Sequence, residues 1–495
     1  MHRMCVQVTG SKGTTVGSFI GRGGQLRELD RQLELVRAGG TDHPGKALLV
    51  RGRRRVGKSR LVGEFVRRSG VPHVYFTASM QKPEQELALF AQEVAESDLP
   101  GAAVFSGVNL GSWEAALRLL ATAVPADGPS VVVIDELPYL VAADPTLEGT
   151  LQKIFDRAIA TLPVLLVLVG SDLAMMEALN EHGRPFYQRA REMVVPPLTP
   201  LEVGDMLDLS PADAFDAFLV TGGLPLICAE WPRGLSLWQF LEESLTFTTS
   251  ALLVSAERAL AAEFPTDSQA RYVLSTVGAG ERTFTGINRK AGLQPMSLTR
   301  SLTVLSDKSV IAADTPLSTK RSKETRYRIA DPYLRFWLSF LGPHMPEIER
   351  GRGDRVLGRV RTSWPSWRGR AIEPVLRESL ERLGPEAWRT DSDAVPAPDG
   401  GGSVVRGYWT RTNDPEIDIV VADRAPVARR IDAVGSIKWL ESAPFGGSDL
   451  SALIRHRAQL PGASDTTPLI AVSRSGSTVS DVTALGPEQL LDGWR

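Results

Sequence analysis

Eight consecutive residues carry the densest chemistry in the chain. Gly52 is followed by four residues and then by Gly57-Lys58-Ser59, completing the pattern G-x-x-x-x-G-K-[ST]. Glycines let a backbone turn tightly and aim its N–H groups at anionic oxygens. Gly52, Arg53, Arg54, Arg55, Val56, Gly57, Lys58, Ser59 and Arg60 are therefore expected to cradle the phosphates of a nucleotide. Lys58 is the expected partner of the β- and γ-phosphates, and Ser59 Oγ the expected Mg2+ ligand. Further along, an apolar run over residues 131–134 ends in Asp135-Glu136. Asp135 is placed to hold Mg2+, and Glu136 to polarise an attacking water as a general base. Taken alone, two acids closing a strand are ordinary; downstream of a phosphate loop they point to ATP hydrolysis.

These residues need particular elements to position them. Residues 47–50 read as a buried strand and 61–66 as an amphipathic helix, the context a phosphate loop requires. The helix adds the positive end of its dipole. In a parallel sheet, ligands sit beyond the carboxyl ends of the strands, which is where Asp135 and Glu136 fall. Residues 71–78, 164–169 and 193–198 read as further strands, and 83–98 and 112–124 as helices. Ser171, just after the strand 164–169, either orients the attacking water or caps the next helix, and the two roles are compatible. Arg189 is a candidate finger acting across a homo-oligomer, with a solvated surface arginine as the alternative.

Composition bounds the rest. A chain of 495 residues predicts several domains. With 43% hydrophobic and 23% charged residues and a net charge of −2, it reads as a soluble protein whose nucleic-acid surface, if any, is local. Cys5 and Cys228 lie far apart without metal-ligand spacing, which fits a reducing cytoplasm. No signal peptide is read, the most apolar stretch (162–170) is too short to span a bilayer, and no membrane partner is expected. Residues 1–18 are polar and expected to be disordered.

Residues 200–250 read as helical, interrupted at Gly222-Gly223-Leu224-Pro225. Helices are then expected at 267–278, 284–291 and 297–306, the last capped by Ser297, followed by strands at 310–313 and from Arg326. Three helices and a hairpin predict a winged helix-turn-helix. Its third helix would enter a major groove, and Lys320, Arg321 and Lys323 would touch phosphates. Arg300 is the one strong base-reading residue on that helix, so a regulatory or protein-contact role stays open. Residues 331–340 read as a buried connecting helix. Arg350, Arg352, Arg355, Arg359 and Arg361 extend the basic stretch 320–361, a candidate surface for double-stranded DNA or simply a solvated face.

Phe19-Ile20-Gly21-Arg22, with Leu26, Leu29 and Leu33 after it, is similar to a box that lines the adenine pocket of AAA-type ATPases, although Gln25 stands where Glu is common. With the phosphate loop, the acids, Ser171, the Gly-Gly-x-Pro turn and the residues after 264, the order resembles prokaryotic, archaeal-type AAA-like ATPases that carry a C-terminal restriction-endonuclease-like domain. The resemblance implies an α/β P-loop core (19–200), a helical lid (201–263), a winged helix with connecting helix (264–345) and an α/β endonuclease-like domain (346–495). It implies ATP and Mg2+ as ligands, Pro225 beside the base and Ser171 as a sensor. In active endonuclease-like relatives a helix Glu, a strand Asp and a second strand acid gather Mg2+ while a Lys stabilises the developing charge. Glu373, Asp418 and Lys438 match, but Ser436 stands where the second strand acid belongs. Glu416 shares a strand face with Asp418 and could replace it. The expected function is an ATPase coupled to a DNA- or protein-binding module. The alternatives are a nucleotide switch for protein partners and an ATP-regulated, metal-dependent nuclease.

Overall fold

Continuous apolar runs make the first sheet, as buried parallel strands require. In the computed structural model, which describes residues 19–39, 44–265, 268–387 and 403–495, these runs are β1 (Lys46–Arg51), β2 (His73–Thr77), β3 (Ser130–Asp135), β4 (Val164–Gly170) and β5 (Ala190–Val194). All neighbours pair in parallel, in the order β2-β3-β4-β1-β5. Every residue of β3 and β4 is buried. One face of the sheet packs on the helices Gly23–Arg37 and Lys58–Ser69 through Leu29, Leu33, Leu61 and Phe65. The other packs on helices Pro83–Ala95 and Trp113–Ala123, where Phe76, Phe90 and Trp113 form edge-to-face contacts. β5 starts at Ala190, earlier than expected, and stops at Val194 short of Leu198, because Pro196 and Pro197 supply no ladder N–H. The chain is thus an α/β protein with a P-loop-type parallel sheet, followed by helices and a separate C-terminal sheet.

The middle of the chain shares one apolar core, running from Leu198 and Val203 through Phe240 and Leu274 to Phe336 and Trp364. The lid and the module after it are therefore packed as one body, although the sequence reads as two. Helices Gln269–Gly278, Phe284–Ala291 and Pro295–Asp307 precede an antiparallel pair, β6 (Ile311–Asp314) and β7 (Arg326–Ile329). The third helix starts earlier than expected: Gln294 is its N-cap and Pro295 its first residue, so Ser297 lies inside it. The connecting helix is short, Pro332–Phe336, capped by Asp331 and continued by a π-helical turn, Trp337–Leu341.

A 31-residue helix, Gly353–Leu383, links this core to the last sheet. Val356, Val360 and Trp364 belong to the helical core, whereas Ile372, Leu376 and Leu380 pack against the C-terminal strands. Those strands are β8 (Val404–Trp409), β9 (Glu416–Ala422), β10 (Ile431–Lys438), β11 (Leu469–Ser473) and β12 (Thr483–Leu485). β8, β9 and β10 run antiparallel, and β10, β11 and β12 parallel. A buried ionic knot fastens this sheet to the lid. Asp216 Oδ2 accepts Arg368 Nη1 and Arg474 Nη1, both at 2.8 Å, and Arg368 Nη2 donates to Trp439 O at 3.2 Å. Burial raises the Asp216 pKa, and the two arginines oppose that rise. The expectation for residues 1–18 falls outside the described residues. Among the described residues, no helix is long and apolar enough to cross a membrane.

Candidate functional site

β1 feeds directly into the phosphate loop, and the helix Lys58–Ser69 begins at its Lys. Two glycines are required by geometry. A Cβ on Gly52 would lie 2.5 Å from Val195 O, and Gly57 has φ +89°. Lys58 is 6% exposed, and its Nζ donates to Gly52 O (2.8 Å) and Arg53 O (3.1 Å). Burial lowers the Lys58 pKa, while Glu136 and Asp135 act to raise it. Ser59 and Arg60 are exposed at the mouth of the loop.

Because β4 lies between β1 and β3, the loop and the acids share one edge of the sheet. Asp135 closes β3 and is buried. Its Oδ2 accepts Tyr75 Oη at 2.9 Å, and its Oδ1 accepts the Glu136 N–H at 2.9 Å. Tyr75 Oη also reaches Ser59 O at 3.3 Å, bridging β2 to the first turn of the loop helix. Burial, with Asp135 beside it, raises the Tyr75 pKa and keeps the phenol protonated as a donor. Glu136 takes a left-handed backbone, φ 54°, where strand becomes helix. Ser171, past the end of β4, donates to Glu136 Oε1 (3.0 Å) and Oε2 (2.8 Å). The next helix is capped by Asp172, so Ser171 is free of that duty. Buried cation, exposed hydroxyl, paired carboxylates and glycine cradle fit a polyphosphate with Mg2+, Ser59 and Asp135 being the residues able to hold the ion.

The remaining loop side chains reach away from the sheet. Arg53 pairs with Asp331 Oδ2 (3.1 Å) and donates to Ser309 O (2.8 Å). Arg55 donates to Ser255 Oγ at 3.0 Å. Arg54 is exposed, and the backbone beside it buries Val56. The expected adenine box is partly reassigned. Half-buried Phe19 rests against the sheet core beneath the Arg68 guanidinium, and Ile20 is also half-buried. Gly21 has φ +77°, and a Cβ there would meet the Glu202 carboxylate. Arg22 is an internal strap: its guanidinium donates to Pro196 O (2.5 Å) and Val56 O (2.8 Å), and its N–H to Glu202. Pro225 Cγ lies 3.6 Å from where a Gly57 Cβ would stand, so the lid turn abuts the loop. Gly223 is required there, because a Cβ would fall 2.0 Å from Leu198 O.

Two expectations are corrected. Arg189 is consumed within its own chain, donating to both oxygens of Asp156 (2.9 and 3.0 Å) and to Pro185 O and Tyr187 O, so it is an internal tie rather than a projecting finger. The nuclease residues do not assemble a metal centre. Glu416 Oε1 is paired with Arg326 Nη1 at 2.5 Å and Glu373 Oε2 with Arg377 Nη2 at 2.8 Å. Asp418 Oδ2 accepts Ser436 Oγ (3.0 Å) and the Ile437 N–H (2.9 Å), and Lys438 Nζ is held by Asp449 Oδ1 (2.8 Å). Among the described residues, no group of three or more His, Cys, Asp or Glu could hold a metal ion. Glu373, Glu416 and Asp418 do line one cavity, but arginines from β7 and the connecting helix line it with them.

The hairpin tip is exposed at Lys320, Arg321 and Lys323, whereas its stem is stitched to the last sheet by Leu317 N–H to Gly407 O (2.9 Å) and Ala428 N–H to Ser318 O (3.0 Å). Arg300, Arg350, Arg352, Arg355, Arg359 and Arg361 are exposed, and Arg359 is paired with Glu347. Sequence reading missed Tyr75, Glu202 and Asp331. Two carried a local signal: Thr199-x-x-Glu202 is a capping box, and Asp331 before Pro332 is a helix start.

No protein-family model matches the chain. An uncharacterised protein of Methanocaldococcus jannaschii is 23% identical over 371 residues, covering 74% of this chain and 78% of the relative. Among solved structures, a Walker-type ATPase of Pyrococcus abyssi is similar at 19% identity, with 65% of this chain and 96% of that chain covered and a TM-score of 0.44. The ORC2 protein of Aeropyrum pernix, in ADPNP–ADP complexes, is similar at 15% identity, with coverage of 69% and 95% and a TM-score of 0.43.

Proposed function

We propose that the chain is an ATP-binding AAA-like ATPase whose nucleotide site is coupled to the three-helix module after residue 264. One observation carries this reading: Lys58, Ser59, Asp135, Glu136 and Ser171 meet at the carboxyl edge of a single parallel sheet. The loop N–H groups and Lys58 bind the phosphates. Ser59 Oγ and Asp135 would hold Mg2+, which when bound would supply charge neutralisation of the phosphates. Tyr75 fixes one oxygen of Asp135. Glu136 accepts the proton of the attacking water once Ser171 yields one of its two contacts, and Ser171 keeps the other oxygen oriented. Pro225 abuts the loop at Gly57, and Phe19, Ile20 and Pro225 are assigned to the adenine side.

Arg53–Asp331 and Arg55–Ser255 support the coupling, because they tie the phosphate loop to the connecting helix and to the lid helix Ala251–Glu263. We assign residues 19–200 to the ATPase core, 201–263 to the lid, 264–345 to a winged helix, and 346–495 to an endonuclease-like sheet domain that does not cut. The exposed tip residues Lys320, Arg321 and Lys323 are the candidate contacts to double-stranded DNA, or to an acidic protein partner, and the chain is assigned to the cytoplasm.

The test is ATP turnover by purified protein with and without double-stranded DNA, beside Lys58→Ala and Glu136→Gln. DNA-accelerated turnover that both substitutions abolish supports a DNA-coupled ATPase. The direct loop-to-module ties also favour a second reading, a switch for protein partners. Tight ATP binding without turnover, unchanged by DNA, selects it. Absence of ATP binding overturns both.

A further inference from the structure

A cavity of about 40 Å3 lies where β7, the connecting helix, the long helix and the last sheet meet. Its lining holds six arginines against four carboxylates. Three of the arginines are spoken for: Arg326 by Glu416, Arg328 by Asp314 and Arg377 by Glu373. The fourth acid, Asp418, is satisfied by Ser436 and a backbone N–H. Arg282, Arg335 and Arg370 remain, and among the described residues none of their guanidinium groups has a hydrogen bond or an ion pair. Their guanidinium N–H groups, about five on each arginine, have no protein acceptor among the described residues.

We propose that this cavity is a metal-independent binding site for a compact tetrahedral oxyanion, a phosphate either free or at the terminus of a nucleotide or nucleic acid, gripped by Arg282, Arg335 and Arg370. The size suits it, since about 40 Å3 admits an oxyanion or a few waters but not a nucleoside. The donor chemistry suits it as well, because planar guanidinium forks match phosphate oxygens. Burial pushes Arg335 down to about 10 and lowers Arg282, while Glu373 opposes both falls and Glu416 that of Arg282. The site joins three parts of the fold. Arg282 precedes the second helix of the module, Arg335 lies on the connecting helix and Arg370 on the long helix. Its ligand would therefore clamp the module to the last sheet. The connecting helix also carries the Asp331 cap that receives Arg53 from the phosphate loop.

The experiment is calorimetric titration of inorganic phosphate into the full chain with EDTA present, in the parent, Arg335→Gln, Arg370→Gln and Lys58→Ala proteins. Lys58→Ala separates this cavity from the phosphate loop, and exposed Arg370 gives a variant that leaves the core untouched. The expected result is binding that survives Lys58→Ala and weakens at least roughly tenfold in both arginine variants, as loss of a charge-assisted pair implies. A second arm compares 5′-phosphorylated with unphosphorylated oligonucleotide in the Lys58→Ala background. Preference for the phosphorylated strand assigns the ligand to a nucleic-acid end, and equal binding of the two strands beside phosphate binding assigns it to the free ion. No phosphate binding, binding lost only with Lys58→Ala, or binding indifferent to both arginine variants overturns the proposal.

Discussion

At the edge of the parallel sheet, the hydrogen-bond donors to Asp135 and Glu136 among the described residues are neutral: the Tyr75 hydroxyl, the Ser171 hydroxyl and a backbone N–H. At the last sheet, Glu373 and Glu416 meet the guanidinium groups of Arg377 and Arg326. Both regions hold strand-end or helix acids with a lysine nearby, so their raw materials are similar. Their electrostatics differ. Neutral donors orient a carboxylate and leave its charge available to a cation or a proton. Arginines cancel that charge and leave, in the second region, a surplus of positive donors. Residue type nominated both regions as acid-based centres, but only the partner of each acid separates the site proposed to recruit Mg2+ from the one proposed to attract an anion.

The largest effect is expected from separating the two regions. Arg368 is 2% exposed and shares Asp216 with Arg474 between the lid and the last sheet. Arg368→Met should cost about 3–5 kcal/mol of stability, as breaking a buried pair does, measured by denaturant unfolding. A loss below about 1 kcal/mol would mean that the knot does not join them. Next, Glu136→Gln should lower ATP turnover by roughly 10^2–10^4 while nucleotide affinity is kept, read by steady-state kinetics beside equilibrium binding. The matching Glu373→Gln should leave turnover unchanged; if it fell comparably, the contrast between the two sets of acids would fail.

A smaller effect should follow Tyr75→Phe, which removes the donor that orients Asp135. The expected loss is about 1 kcal/mol in thermal or chemical unfolding, together with weaker Mg2+-dependent nucleotide binding. The smallest is a matter of pH. Burial raises Glu373 and Asp418 above the ordinary carboxylate range. The folded chain then keeps protons that the unfolded chain has released, so these groups favour folding as pH falls from the raised values toward about 4. That contribution is lost as pH rises through the raised values. The stability of Glu373→Gln relative to the parent should therefore rise as pH climbs above about 4, seen as a changing gap in unfolding midpoints. A gap constant with pH would place the Glu373 proton affinity in its ordinary range.

What could be read in advance follows from how far apart the interacting residues lie. The loop from Gly52 to Ser59 and the strand ending at Asp135 are contiguous motifs, written within one element and its turn, so residue type and period reveal them. Ser171 was visible for the same reason, while only the structure showed that Asp172, and not Ser171, caps the next helix. Tyr75 was hidden because its partner, Asp135, is 60 residues away across a strand pairing. Arg22, Arg53 and Arg189 carried the right charge for a phosphate, yet each is committed to a carbonyl or carboxylate elsewhere in the fold.

By itself the sequence determined the order of elements, the phosphate loop, the acids that close β3 and the separate character of the last sheet. These depend on local propensity, on hydrophobic period and on glycine positions that tolerate no Cβ. The tertiary structure alone decided which charges are free. Arg326 meets Glu416 across 90 residues and Arg53 meets Asp331 across 278. An ion pair is a property of two positions in space, and one position in the chain says nothing of which opposite charge will lie beside it.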